Sequence, residues 1–139
     1  MARNSARFAY DSDAPQAVAA GSAVQFATSS AVGSAIQGNG SGGILLKAPG
    51  TYRVQAAFTL SATAAGAVTV QMSENLLPAT AARAGTTLAA AGDLATVEII
   101  DQVTVRPGSA GSYATLTFAP DAAVGIRTAS VLVERLCAC

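Results

Sequence analysis

The sequence predicts an all-β fold, an antiparallel jelly-roll sandwich of about eight to ten short strands. Three observations carry this expectation. Apolar and polar residues alternate along several segments. After Pro49-Gly50, Tyr52, Val54, Ala56, Phe58 and Leu60 fall on one face, and Thr51, Arg53, Gln55, Ala57 and Thr59 on the other. Turn residues recur at the roughly 8–12 residue spacing of an antiparallel sandwich. No segment keeps the apolar period of a long amphipathic helix. An immunoglobulin-like sandwich would need fewer strands, and nothing marks its tyrosine corner or its disulfide.

Taken in order, residues 1–15 read as an N-terminal arm carrying Arg3, Arg7, Asp11, Asp13 and Pro15, with Phe8 and Tyr10 as its large apolar groups. This fits either a disordered terminus or a peptide that orders on a partner. In the second case Arg3, Arg7, Phe8 and Tyr10 are the anchoring residues, the two aromatics being the main anchors. The folded domain is expected over 16–136, with 137–139 as a C-terminal tail.

A first strand is expected at about 18–27, with Val24 and Phe26 inward. Residues 28–42 are rich in Ser, Gly and Asn and read as loop, with Val32 and Ile36 as short strand contacts. Residues 44–47 form a second strand, Pro49-Gly50 turns the chain, and 52–60 form the third. Val68, Val70 and Met72 alternate with Thr69 and Gln71 in a fourth. Pro78 points to an edge strand, and the Ala-rich stretch at 80–91 reads as strand plus loop.

The next long strand covers 94–106. Val97, Ile99, Val103 and Val105 share a face with Asp101, while Ile100 sits opposite. An inward Asp beside an outward Ile implies either a bulge or an outer face covered by another subunit. After a turn at Pro107-Gly108, Ala114, Leu116 and Phe118 alternate with Tyr113, Thr115 and Thr117. A turn at Pro120-Asp121 leads to the last strand at 128–136, with Ala129, Val131 and Val133 on one face and Leu132 and Leu136 on the other.

Composition excludes several function classes. The 139 residues make one domain, with eight basic and eight acidic side chains and only 12% charged residues overall. The basic residues are scattered, so neither nucleic acid nor membrane is expected as a partner. The uncharged run from 14 to 46 is broken by Gly, Ser, Gln and Asn and is not a membrane helix. The N-terminus lacks the apolar region of a secretory signal, so assembly in the cytoplasm is expected. The chain contains no His, which removes Ser-His and Cys-His nucleophiles. Its carboxylates lie at no suggestive spacing, and the glycine-rich 38–43 is followed by neither a Lys-Ser/Thr pair nor a helix start. No enzymatic activity, cofactor or metal is expected. Cys137 and Cys139 are too close for an ordinary disulfide between strand neighbours and read as free thiols.

Aromatic residues make up only 5% of the chain, and much of its 51% hydrophobic content is alanine. A core this thin, with few surface charges, favours self-association. The outward apolar residues Leu45, Ile100, Leu132 and Leu136 are the candidate contacts, with Tyr113 packing beside Leu132 and Ile100.

The segment Ile44-Leu45-Leu46-Lys47-Ala48-Pro49-Gly50-Thr51-Tyr52-Arg53-Val54 resembles the apolar, Pro-Gly-x-Tyr-x-Val segment of tumour-necrosis-factor-like jelly rolls. The bacterial and phage members look most similar: phage head-fibre or capsid-decoration domains, and the C-terminal domains of collagen-like spore-surface proteins. Residues 16–26, 66–72 and 129–136 resemble their first, middle and closing strands. The resemblance implies a homotrimer with the first and last strands near the three-fold axis. There Leu45, Ile100, Tyr113, Leu132 and Leu136 are the expected trimer interface. No collagen-like stalk precedes the domain, which points to a protein sitting directly on a larger surface. The function expected is a structural virion protein, a trimeric capsid-decoration or head-fibre-type component anchored through residues 1–15. Its partners would be itself and the major capsid or another virion protein. The alternative is a receptor- or glycan-binding tip domain or a spore-surface protein, with host-surface glycan as partner.

Overall fold

The computed structural model describes residues 4–33, 35–38, 42–74, 77–105 and 114–137. Among these, ten strands form: β1 (Ser5–Val18), β2 (Ala27–Val32), β3 (Ile36–Gly38), β4 (Ile44–Leu46), β5 (Gly50–Ser61), β6 (Gly66–Glu74), β7 (Leu77–Leu88), β8 (Leu94–Val105), β9 (Ala114–Pro120) and β10 (Val124–Cys137). They make two five-stranded sheets, ordered β2-β1-β10-β5-β8 and β3-β4-β9-β6-β7. Neighbouring strands are antiparallel throughout, and the chain switches repeatedly between sheets, as a jelly roll requires.

The alternation read from the sequence is the pattern of burial. In β5, Tyr52, Val54, Phe58 and Leu60 are fully buried, while Arg53 and Gln55 are exposed. In β9, Ala114, Leu116 and Phe118 are buried and alternate with half-buried Thr115, Thr117 and Ala119. The four phenylalanines of the chain form one run of ring contacts through this core. Phe8 on β1 meets Phe26 at 5.9 Å between centroids, Phe26 meets Phe118 on β9 at 6.4 Å, and Phe118 meets Phe58 on β5 at 5.2 Å. The interplanar angles of 49–62° are the tilted geometries that the ring quadrupoles favour.

The segment expected to be an anchoring arm is β1, an inner strand of the first sheet between β2 and β10. Ser5 to Asp11 pair residue for residue with Glu134 to Thr128, and the backbone amide of Arg135 donates to the Asn4 carbonyl at 2.9 Å. Phe8 is only 1% exposed and Tyr10 packs partly buried against the same core, so the fold itself uses both side chains. The aromatics are there because the first strand starts early. The strand expected at 18–27 is instead mostly a connection, yet Val24 and Phe26 are buried as anticipated. It is tethered to β9 by bonds from the Gly21 and Val24 amides to the Pro120 and Phe118 carbonyls, both 2.8 Å. Arg3, the Pro107-Gly108 turn, Tyr113 and Cys139 lie outside the described residues.

The Pro49-Gly50 turn is locked from several directions. Gly50 has φ 147°, and a Cβ there would collide with the Cys137 carbonyl oxygen. The Arg135 guanidinium donates to the Pro49 carbonyl, and the buried Tyr52 hydroxyl donates to the Ala48 carbonyl at 2.6 Å. Burial raises the Tyr52 pKa above its ordinary value, outweighing the opposite pull of Arg135 and of that hydrogen bond. Cys137 is disulfide-bonded, which corrects the expectation of a free thiol there.

β5 and β8 pair without a register shift from Gly50↔Val105 to Ser61↔Leu94. This removes the bulge expected near Ile100-Asp101. Asp101 keeps its core-facing position, half-buried on an edge strand, and Ile100 is 64% exposed on the opposite face. Glu74 ends β6 in the inward parity of Val68, Val70 and Met72, in the other sheet. Burial first, and the Asp101 charge second, raise the Glu74 pKa.

Phe8→Ala is expected to cost about 3–5 kcal/mol of folding stability, the usual loss for a buried aromatic. Denaturant unfolding at fixed protein concentration checks this; an anchoring arm would leave the midpoint unchanged. A raised Glu74 pKa means that the folded state holds its proton more tightly than the unfolded state. The stability this adds is fully present below the unfolded carboxylate pKa and is lost as pH rises through the folded one. Glu74→Gln is therefore expected to raise the melting temperature at pH 7 relative to wild type, and the advantage should shrink towards pH 4. Thermal melts across that range check the sign.

Candidate self-association surface

The two sheets bury their inner faces against each other and differ on their outer faces. On the second sheet, Thr69, Gln71, Ser73, Thr115 and Thr117 are half-buried small or polar residues. The first sheet carries every large apolar side chain that is exposed among the described residues: Val32 on β2, Leu94 and Ile100 on β8, and Leu132 and Leu136 on β10. Strand pairing sets these residues in rows. Arg7, Leu132, Gln55 and Ile100 lie side by side across β1, β10, β5 and β8. The adjacent row is Ala9, Ser130, Ala57 and Glu98, and the row beyond that is Asp11, Thr128, Thr59 and Thr96. On the other side of the first row, Ser5, Glu134, Arg53 and Gln102 align, placing opposite charges directly across β10 and β5.

A depression of about 240 Å³ opens on this face. It is lined by the small Ala57 and Ser130 and by the longer Arg7, Gln55, Glu98 and Leu132. Large apolar groups and an adjacent hollow on one face are the elements of a packed contact between copies. At usual strand spacing and rise, five strands with the 12-residue β8 present roughly 800 Å², about what one partner contributes to a stable interface.

Of the expected interface residues, Ile100, Leu132 and Leu136 lie exposed on strands of this sheet, at 64%, 41% and 49%. Leu45 does not join them. It lies half-buried on β4 in the second sheet, between Gln37 and Thr115. Of the expected anchoring residues, Arg7 is exposed on this same face, while Phe8 and Tyr10 face the core. Sequence reasoning missed Val32 and Leu94. Leu94 has the parity of Ile100 and was open to the same inference; Val32 was not, because the register of β2 on β1 shifts between Arg7 and Phe8. Among the described residues no cluster of three or more His, Cys, Asp or Glu side chains is placed to hold a metal ion.

No protein-family model and no curated protein sequence matches the chain. Its likeness to known proteins lies in the fold. The structure of Eiger TNF from S. frugiperda matches with a TM-score of 0.80 at 8% identity, over 100% of this chain and 96% of that one. The globular domain of a zebrafish complement 1qA protein matches at 0.68 and 14% identity, over 96% of each chain. Vertex protein P5 of PRD1 matches at 0.58 and 13% identity, over 99% of each. The chain thus has the jelly-roll fold shared by TNF-like and C1q-like domains.

Proposed function

We propose that the protein is a self-associating structural domain of a virus particle, a homotrimer sitting on the virion as a capsid-decoration or head-fibre-type component. The observation that carries self-association is the outer face of the first sheet, which bears Ile100 and Leu132 in one row and the further exposed apolar residues Leu136, Leu94 and Val32. A monomer would leave them in water, whereas copies arranged about an axis beside this sheet bury them. Three-fold closure is what the resemblance to TNF-like jelly rolls implies. The match to a viral vertex protein along 99% of both chains supports the virion setting.

The role is mechanical and non-enzymatic. The trimer presents three equivalent surfaces to its particle, so contacts that are weak singly add through multivalency. The particle contact falls outside the core-facing side of β1, which the fold itself uses. The likeness to a TNF at a TM-score of 0.80 favours a second reading, a receptor- or glycan-binding tip built on the same trimer.

The purified protein is expected to run at three times its 13.7 kDa chain mass in mass photometry or sedimentation. A monomer at micromolar concentration would overturn the trimer. Ile100→Asp and Leu132→Asp should each weaken association about tenfold or more, while leaving the sheet circular-dichroism signal intact. Mass spectrometry of purified particles from the producing cell should find the chain in the virion band. Its confinement to the soluble fraction, together with binding on a glycan array, would favour the tip reading.

A further inference from the structure

We infer that Arg7 of one copy pairs with Glu98 of the next, and that this contact fixes which way round two copies meet on the first sheet. The inference rests on the self-association reading above and names the polar contact that gives it direction.

Arg7 and Glu98 are both exposed on the outer face of the first sheet, and both line its depression. They approach it from opposite sides, Arg7 from β1 and Glu98 from the edge strand β8, with β10 and β5 between. Three strand spacings and a two-residue offset along the strands set their backbones about 16 Å apart, with Leu132, Gln55, Ser130 and Ala57 between them. One face therefore carries Arg7 and Asp11 on the β1 side, Glu98 on the β8 side, apolar projections at Ile100 and Leu132, and a hollow beside them. That combination complements itself, so the occupant is a second copy of this chain.

The direction follows from symmetry. A rotation axis running along the strands brings the β1 side of one copy to the β8 side of its neighbour, so Arg7 meets Glu98. An axis running across the strands sets β1 against β1 and β8 against β8, so Arg7 and Glu98 do not meet. An Arg7–Glu98 contact forms only in the first arrangement, and its attraction favours that one. Such a pair at the edge of an apolar contact acts mainly on orientation and association rate, while Ile100 and Leu132 supply the buried area.

Charge exchange tests this. Arg7→Glu and Glu98→Arg alone should each raise the dissociation constant about tenfold or more. The double variant should return it to within about threefold of wild type, since the pair is restored with its signs reversed. Sedimentation measures all four proteins, with circular dichroism as the check on folding. Should either single variant fold poorly, the neutral pair Arg7→Gln with Glu98→Gln gives a second readout. Wild-type association should weaken as salt rises from low ionic strength, and the neutral pair should lose most of that dependence. Single variants that associate like wild type, or a double variant no better than the singles, would overturn the pairing. If Ile100→Asp still dissociates the assembly in those cases, self-association stands without this contact. A monomeric wild type would overturn both.

Discussion

The contact of Phe118 with Phe58 at 5.2 Å is the hinge of the structure, because it ties the central strand of one sheet, β9, to an inner strand of the other, β5. Phe118 also touches Phe26, which reaches Phe8, so a single run of rings links β5, β9, the connection before β2, and β1. In a chain with 5% aromatic residues and a large share of alanine, few side chains are big enough to hold two sheets at packing distance. The chain places all four phenylalanines in that one run. The first strand is part of the core for this reason, and the fold begins only a few residues from the start of the sequence.

With inner faces committed to the core, the outer faces are free to differ, and they do. On the second sheet, Thr69, Gln71, Ser73, Thr115 and Thr117 are half-buried small or polar residues, with Leu45 half-buried beside Thr115. The first sheet offers isoleucine, leucine and valine beside a hollow lined by alanine and serine. Asp101 and Ile100 show the same division on one strand. The register across β5 and β8 is unbroken, so a carboxylate half-buried towards the core and an isoleucine open to solvent are both consequences of a regular strand. The carboxylate stays tolerable because β8 is an edge strand and remains half-exposed, although it faces Glu74 closely enough to affect its proton affinity.

Much of this architecture was legible in the sequence. Strict alternation identified β5, β6, β8, β9 and β10, and the Pro49-Gly50 turn marked where β5 begins. The opening of the chain was not legible. Arg7, Asp11 and Asp13 give residues 5–18 the composition of a solvated tail, and period-two alternation over Ala6, Phe8 and Tyr10 is weak when the intervening residues are Arg and Ala. Partners for β1 come from β10, more than 100 residues away, and only a tertiary pairing reveals them. The exposed surface was half legible. Parity exposed Ile100, Leu132 and Leu136, but parity does not say which sheet a strand joins, and Leu45 was therefore placed with residues from the opposite side of the sandwich.

The pairing of Ser5 with Glu134, reinforced by the bond between the Arg135 amide and the Asn4 carbonyl, brings both ends of the domain to one pole. The loops at 62–65, 89–93 and 121–123 close the opposite pole, joined there by bonds such as Thr63 Oγ1 to the Ala123 carbonyl at 3.1 Å. Whatever polypeptide is joined before or after the sandwich leaves from the terminal pole. The other pole is a loop-built surface with no covalent traffic across it. The domain is thus polar in the geometric sense, with its first and last strand ends at one pole and closed loops at the other.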